Sequence, residues 1–382
     1  MDHLQNKPQP FELSEILRVY APAFLASHKL CAQQLKAIND LINCRTSAMR
    51  GHLMQCSHCG HREQSYNSCR NRHCNKCQFL RQSIWADKLK GKLLPGKYFH
   101  LVFTVPESLN PLFYINQAVC YDLLFQAAWS ALDTLCRNPR FLGARTGGVA
   151  ILHTWSSSLV YHPHIHILVP CGGISEDEME WIAPKGDYLV PVKVLSRLYR
   201  TRCSEGLQKA METEKMKLPE GTDVASLKKS IYAKQWVVFA KKTGKTADPV
   251  LEYLARYTHR VAIGNNRITQ VIDDKVTFRY KDPNTERYTR HTTLDALEFI
   301  RRFMQHILPD GFCKIRYFGI FATACQNVLE TCRTLIGKSQ FWPVCEGLPM
   351  FDVMRIVTGI DPSLCKQCKE GRMIPVTHQE SG

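Results

Sequence analysis

His162-Pro-His-Ile-His-Ile-Leu-Val169 sets three histidines at alternate positions of a β-type segment that is closed by Pro170 and the turn pair Gly172-Gly173. Side chains alternate across a strand, so His162, His164 and His166 share one face, while Pro163, Ile165, Ile167 and Val169 supply a dry face for packing. The preceding segment, Val149 to Trp155, also reads as a strand and is joined through the polar Ser156-Ser157-Ser158. That pairing brings His153 beside the triplet. Residues two apart on a strand are about 6.6 Å apart at the backbone, so His164 and His166 can bend onto one cation and a third ligand must come from elsewhere. His153 is the choice, with positions left open for phosphate oxygens or water. His162 sits at the strand entrance, as a fourth ligand, a supporting group or a DNA contact. A histidine-rich surface strand without metal is the plain alternative.

Working outward, helical apolar spacing over residues 12–43 predicts two helices broken at Ala21-Pro22-Ala23. A basic amphipathic helix follows from Gln78 to Leu94, stopped by Pro95-Gly96, then a strand from Tyr98 to Val105 and a long helix from Leu112 to Leu135. Tyr188 to Val192 reads as a short strand, Lys193 to Lys217 as a helix, Pro219 to Lys229 as a surface excursion and Trp236 to Ala240 as a strand. Strands at Arg267 to Ile272, Lys275 to Tyr280 and Arg287 to Thr292 precede a helix from Leu294 to Leu308.

The chain has 382 residues, of which 45% are hydrophobic and 10% aromatic, which argues against disorder and for two or three domains. Its formal net charge is +16. Residues 45–100 carry eleven Lys/Arg against Glu63 and Asp87, and such clustered cations favour nucleic acid over a membrane surface. The start carries no apolar signal core and no run of about eighteen apolar residues occurs, so a cytoplasmic protein is expected. In that compartment the 17 cysteines point to metal and ordinary core rather than to disulfides.

A second constellation is Asp248-Pro-Val-Leu-Glu-Tyr253-Leu-Ala-Arg-Tyr257-Thr-His-Arg260. Asp248 suits an N-cap, Pro249 the first helical position and Gly264 the end, so a helix is expected with Tyr253 and Tyr257 one turn apart on one face. Phenol is a weak nucleophile and needs a metal-polarised phosphate and nearby cations; Arg256 and Arg260 lie beside that face and can hold a DNA backbone. Taken alone, such a pair is ordinary aromatic packing.

Third, Cys56-x2-Cys59 and Cys74-x2-Cys77, separated by fourteen residues, offer four thiolates for tetrahedral Zn²⁺. Cys69 and His73 are alternates for a named cysteine, His58 and His61 are further spare ligands, and Cys69 can also belong to a second site. Around them Arg62, Arg70, Arg72, Lys76 and Arg81 make a cationic surface for phosphates. The plainer reading is a knuckle that only holds the domain together. Cys365-x2-Cys368 is a half-site without an evident sequence partner, and Cys332, Cys345 and His378 are candidate completions.

The ordered set of Ser68-Cys-Arg-Asn-Arg-His-Cys-Asn-Lys-Cys-Gln78, His153-Thr-Trp155, His162-Pro-His-Ile-His166 and Tyr253-Leu-Ala-Arg-Tyr257-Thr-His-Arg-Val-Ala-Ile263 resembles the two-tyrosine HUH transposases of the insertion sequence ninety-one family, over residues 10–310. The resemblance implies an α+β protein: an HUH-type antiparallel sheet flanked by helices, behind an N-terminal helical zinc-knuckle domain. The segments expected are 1–96 for that zinc-binding DNA-contact domain, 97–310 for the HUH catalytic domain and 311–382 for a Cys-rich C-terminal region. It also implies rolling-circle transposition without an acidic triad, with His164 and His166 as the HUH pair, Tyr253 and Tyr257 as nucleophiles, and Cys56, Cys59, Cys74 and Cys77 in the zinc-binding domain. Many HUH proteins take the third metal ligand from a carboxylate or glutamine, whereas His153 matches a three-histidine arrangement similar to that of plasmid relaxases. Mg²⁺ or Mn²⁺ is the expected working ion, single-stranded element ends and target the expected DNA, and a dimer on DNA one candidate assembly. Two alternatives stand beside this one. A plasmid relaxase or replication initiator shares the chemistry, and a non-enzymatic zinc-dependent DNA-binding regulator uses the histidines and tyrosines for packing.

Overall fold

The computed structural model describes residues 11–233, 236–243, 262–282, 287–337 and 341–376. In chain order its elements begin with α1 (Leu13–Ser27), α2 (Ala32–Asn43), β1 (Gly51–Cys56), β2 (Arg62–Tyr66), α3 (Phe79–Lys92), β3 (Tyr98–Thr104), α4 (Asn110–Ile115) and α5 (Gln117–Arg137). Next come β4 (Gly147–Trp155), β5 (Tyr161–Pro170), β6 (Gly173–Ile174), β7 (Trp181–Ile182), α6 (Val192–Glu212), α7 (Val224–Ala233) and β8 (Val238–Lys242). The last are β9 (Ile268–Ile272), β10 (Lys275–Tyr280), β11 (Arg290–Asp295), α8 (Ala296–Met304), β12 (Ile315–Gly319), α9 (Gln326–Ile336), α10 (Met350–Thr358) and β13 (Met373–Pro375). The mixture of helices with antiparallel sheets is the expected α+β class.

The chain divides into two compact units. The first is drawn from 1–88, 259–307 and 343–382, the second from 89–258 and 308–342. In the second, five antiparallel strands run in the order β12-β4-β5-β3-β8. Period-two patterning decides which face is dry. Phe99, Leu101 and Phe103 of β3, Ala150 and Leu152 of β4, and Ile165, Ile167 and Val169 of β5 pack in one core with Tyr121, Leu124, Phe125 and Leu132 of α5 and Leu195, Tyr199 and Leu207 of α6. His100, Val102, Ile151, His153, His164 and His166 are therefore turned to the opposite face.

The predicted helix from Leu112 to Leu135 is two helices. Asn116 leaves the helical region at φ −122° and ψ 40°, and its amide donates to the carbonyls of Leu112 (2.9 Å) and Lys217 (2.8 Å) while its oxygen accepts from the Lys217 N–H (2.8 Å). A short polar side chain competing with the backbone ends the first helix. The excursion expected at Pro219 to Lys229 contains the start of α7, which Asp223 opens by accepting from the Ser226 N–H at 2.7 Å. No strand forms over 188–192, where α6 already begins at Val192.

Small residues at the β12 edge make room for an aromatic. Trp129 stacks on Phe318 with centroids 5.2 Å apart, and a Cβ on Gly148 would meet Trp129 at 3.1 Å. Gly319 has φ +56°, and a Cβ there would meet the Thr146 carbonyl at 2.1 Å. Gly319→Ala is expected to destabilise this unit by about 2–3 kcal/mol, read as a lower midpoint in urea unfolding.

In the first unit, the helix break expected at Pro22 is absent, and α1 runs on to Ser27. Burial of Leu13, Ile16, Leu17, Ala21 and Phe24 along one helical stripe offsets the hydrogen bond that Pro22 cannot make. Strands β9, β10 and β11 form an antiparallel sheet, in which Asp273 and Asp274 take positive φ (49° and 57°) at the β9–β10 turn. Phe278 of that sheet meets Phe299 of α8 edge-on at 5.8 Å. A second three-stranded sheet, β13-β1-β2, joins the hairpin near residue 56 to the segment near residue 374. No described helix is long and apolar enough to cross a membrane.

Candidate functional site

The antiparallel register of β4 and β5 puts His153 directly opposite His164 and Ile151 opposite His166, with the register shifting between His153 and Trp155. Such an irregularity re-aims side chains locally. His153, His164 and His166 each offer a ring nitrogen, and those atoms lie within 4.8 Å of one another. Ring centroids are 5.2 Å apart for His153 and His164, 4.3 Å for His153 and His166, and 4.9 Å for His164 and His166. His153 and His166 are buried, and Trp155 stacks on the His153 ring at 5.4 Å.

Two contacts fix ring orientation. His164 Nδ1 lies 2.7 Å from the His162 carbonyl, a geometry that makes Nδ1 the donor and leaves Nε2 for a ligand. His100 Nε2 lies 2.8 Å from His166 Nδ1, with the two rings stacked at 5.0 Å. Burial holds His153 well below its ordinary pKa and pushes His164 and His100 down to about 4. His153 and His164, two of the converging three, are thereby held neutral at pH 7, the state in which imidazole binds metal. Three convergent ring nitrogens, from His153, His164 and His166, suit one divalent cation with coordination positions to spare.

His162 stands at the strand entrance with its ring 5.1 Å from that of His164, outside the converging three. His100 was not anticipated from sequence; the available signal was one histidine in the apolar strand Tyr98-Phe-His-Leu-Val-Phe, on the face away from Phe99 and Leu101. His100→Ala is expected to weaken Mn²⁺ binding by about 10–100-fold with the fold retained, measured by calorimetric titration alongside circular dichroism. Tyr253, Tyr257, Arg256 and Arg260 lie outside the described residues.

The cysteines regroup. Cys74 and Cys77 do not join Cys56 and Cys59, as the spacing predicted; they join Cys44 and Cys69, with the four sulfurs within 4.8 Å of one another. Cys69 thus becomes a full member, His73 is not one, and Cys44, a lone cysteine at the end of α2, had no sequence signal. Cys69 Sγ lies 3.8 Å from Cys77 Sγ, and the Cys69 N–H donates to Cys44 Sγ at 3.5 Å. The loop is held by Gln78, whose amide donates to the Asn71 carbonyl at 2.9 Å, and by Asn71, which donates to Asp40 of α2 at 2.9 Å. Cys56 and Cys59 meet Cys365 and Cys368 instead, and neither Cys332 nor Cys345 joins them; His378 lies outside the described residues. Of the cations proposed for phosphates, Arg70 and Arg81 are exposed and Arg72 half-buried.

Residues 147–328 match a family model described as a putative transposase, and residues 16–105 match a transposase zinc-binding domain. The chain is 40% identical over 376 residues to the putative transposase y4qJ of Sinorhizobium fredii, covering 96% of this chain and 94% of that one. It is 27% identical over 305 residues to the transposase for insertion sequence element IS801 of Pseudomonas savastanoi pv. phaseolicola, covering 76% of this chain and 70% of that one. No solved structure matches. A zinc-binding domain ahead of a transposase domain defines a DNA-cleaving enzyme whose partner is DNA. The chain belongs to the IS91 family of transposases.

Proposed function

We propose that this transposase nicks and rejoins single-stranded DNA at insertion-sequence ends through a 5′-phosphotyrosine intermediate, in rolling-circle fashion. The observation that supports it best is the convergence of the His153, His164 and His166 ring nitrogens on two adjoining strands. A divalent cation held there, Mn²⁺ or Mg²⁺, would polarise a phosphate oxygen of bound DNA; three nitrogen donors favour Mn²⁺ of the two. The chain's own residues do the rest. His100 and the His162 carbonyl keep two of the imidazoles aimed, and Arg256 and Arg260 hold the DNA backbone.

The phenolic oxygen of Tyr253 or Tyr257 attacks phosphorus and gives up its proton to solvent. The bond from phosphorus to the 3′-oxygen breaks, and that oxygen takes a proton and leaves as a free 3′-hydroxyl. The phosphotyrosine bond retains the energy of the broken one, so a 3′-hydroxyl can reverse the step without ATP, and two tyrosines allow two strands to be handled in turn.

The test is incubation with labelled single-stranded oligonucleotides carrying candidate ends, with and without Mn²⁺, resolved on a denaturing gel. A slow-migrating DNA-linked band that requires the cation and maps to residues 249–263 is expected. Absence of any covalent band across cognate element ends would remove this reading, and nicking confined to a plasmid origin would assign a relaxase.

A further inference from the structure

Cys56, Cys59, Cys365 and Cys368 are four thiols that no sequence spacing groups. Cys56 Sγ lies 3.7 Å from Cys368 Sγ, and Cys59 Sγ lies 3.8 Å from Cys365 Sγ. Tetrahedral zinc with bonds of about 2.3 Å places its sulfurs about 3.8 Å apart, whereas a disulfide needs about 2.05 Å.

The two halves are built alike. The residue after the second cysteine turns left-handed in both, Gly60 at φ 72° and Lys369 at φ 58°. The first cysteine of each pair donates its N–H across its own turn, Cys56 to the His61 carbonyl and Cys365 to the Gly371 carbonyl, both at 2.8 Å. Backbone donors are also aimed at sulfur. The N–H groups of His58 and Cys59 lie 3.4 Å from Cys56 Sγ, and that of Gly371 lies 3.3 Å from Cys368 Sγ. Charge-assisted bonds of this kind stabilise thiolate, the metal-binding form. Gly371 is required by the close approach of the halves, since a Cβ there would lie 2.4 Å from Cys56 Sγ. Strand pairing then locks the register, with Cys56 opposite Met373 and the Ser57 N–H donating to the Arg372 carbonyl at 2.9 Å.

We propose that Cys56, Cys59, Cys365 and Cys368 bind a second zinc ion, completing a zinc ribbon whose knuckles come from the two distant segments that β1 and β13 join. The matched zinc-binding region ends at residue 105, so two of the four ligands lie beyond it. Each centre has two buried cysteines, but Cys59 is exposed at this one whereas Cys69 and Cys77 are only half-exposed at the other, so the ribbon zinc should be the first removed by a chelator.

The test is zinc quantification on the full chain. With the histidine cluster silenced by His164→Ala/His166→Ala so that it adds no ion, two equivalents are expected in the otherwise unchanged protein and one when Cys365→Ser/Cys368→Ser is added. One is also expected in Cys56→Ser/Cys59→Ser, and still one when all four are replaced. One equivalent in the otherwise unchanged protein, or a quadruple variant that loses more than either double variant, overturns the proposal. Should the variants misfold and lose both ions, cobalt substitution of the parent protein decides. Charge-transfer absorbance for eight Co–S bonds supports the ribbon, and absorbance for four overturns it.

Discussion

The double substitution Tyr253→Phe/Tyr257→Phe is expected to abolish covalent protein–DNA adducts and to lower strand transfer by at least about a thousandfold, because phenylalanine keeps the ring and removes the only atom that can attack phosphorus. Zinc content and urea midpoint should stay at the parent values, since the change removes two hydroxyls and no apolar surface. Cleavage followed on both strands adds an assignment: the single variant that stops the first nick identifies the tyrosine that acts first. A double variant that still forms adducts would place the nucleophile on another residue and overturn the assignment to Tyr253 and Tyr257.

Comparable in size is the expected effect of Cys74→Ser. Cys74 is 1% exposed and shares its centre with Cys44, Cys69 and Cys77. If these were ordinary core thiols the change would cost about 1–2 kcal/mol. As one ligand of a structural zinc it forfeits much of a metal-linked folding energy on the order of 10 kcal/mol. The expected outcome is loss of one zinc equivalent, a lowered unfolding midpoint for the first unit and loss of retention on DNA–cellulose. Unchanged zinc content would show that these thiols hold no ion.

The strand pair of the candidate site was legible because its signal is local. Alternation over His162 to Val169 fixes both the dry face and the histidine face, and the short Ser156-Ser157-Ser158 connection leaves only an antiparallel neighbour for His153. Helix ends were less legible where a side chain competes with the backbone, as at Asn116, or where a buried stripe overrides proline, as at Pro22. Spacing misassigned the cysteines because each x2 pair marks half a site and says nothing about the other half. Cys59 and Cys365 are 306 positions apart, and Cys44 has no x2 partner at all. His100 escaped for a related reason: its partner, His166, is a neighbour only through sheet pairing.

The scattering of the first unit over three stretches of chain bears on how the molecule matures on the ribosome. Synthesis at about 5–20 residues per second separates the appearance of Cys59 from that of Cys365 by about 15–60 s, an interval in which residues 89–258 emerge and can fold first. A product cut short by a frameshift before position 365 would therefore keep the catalytic strands β3, β4 and β5 yet lack the partner thiols for Cys56 and Cys59. Completion of translation is thus written into the fold as a condition for assembling this four-cysteine cluster.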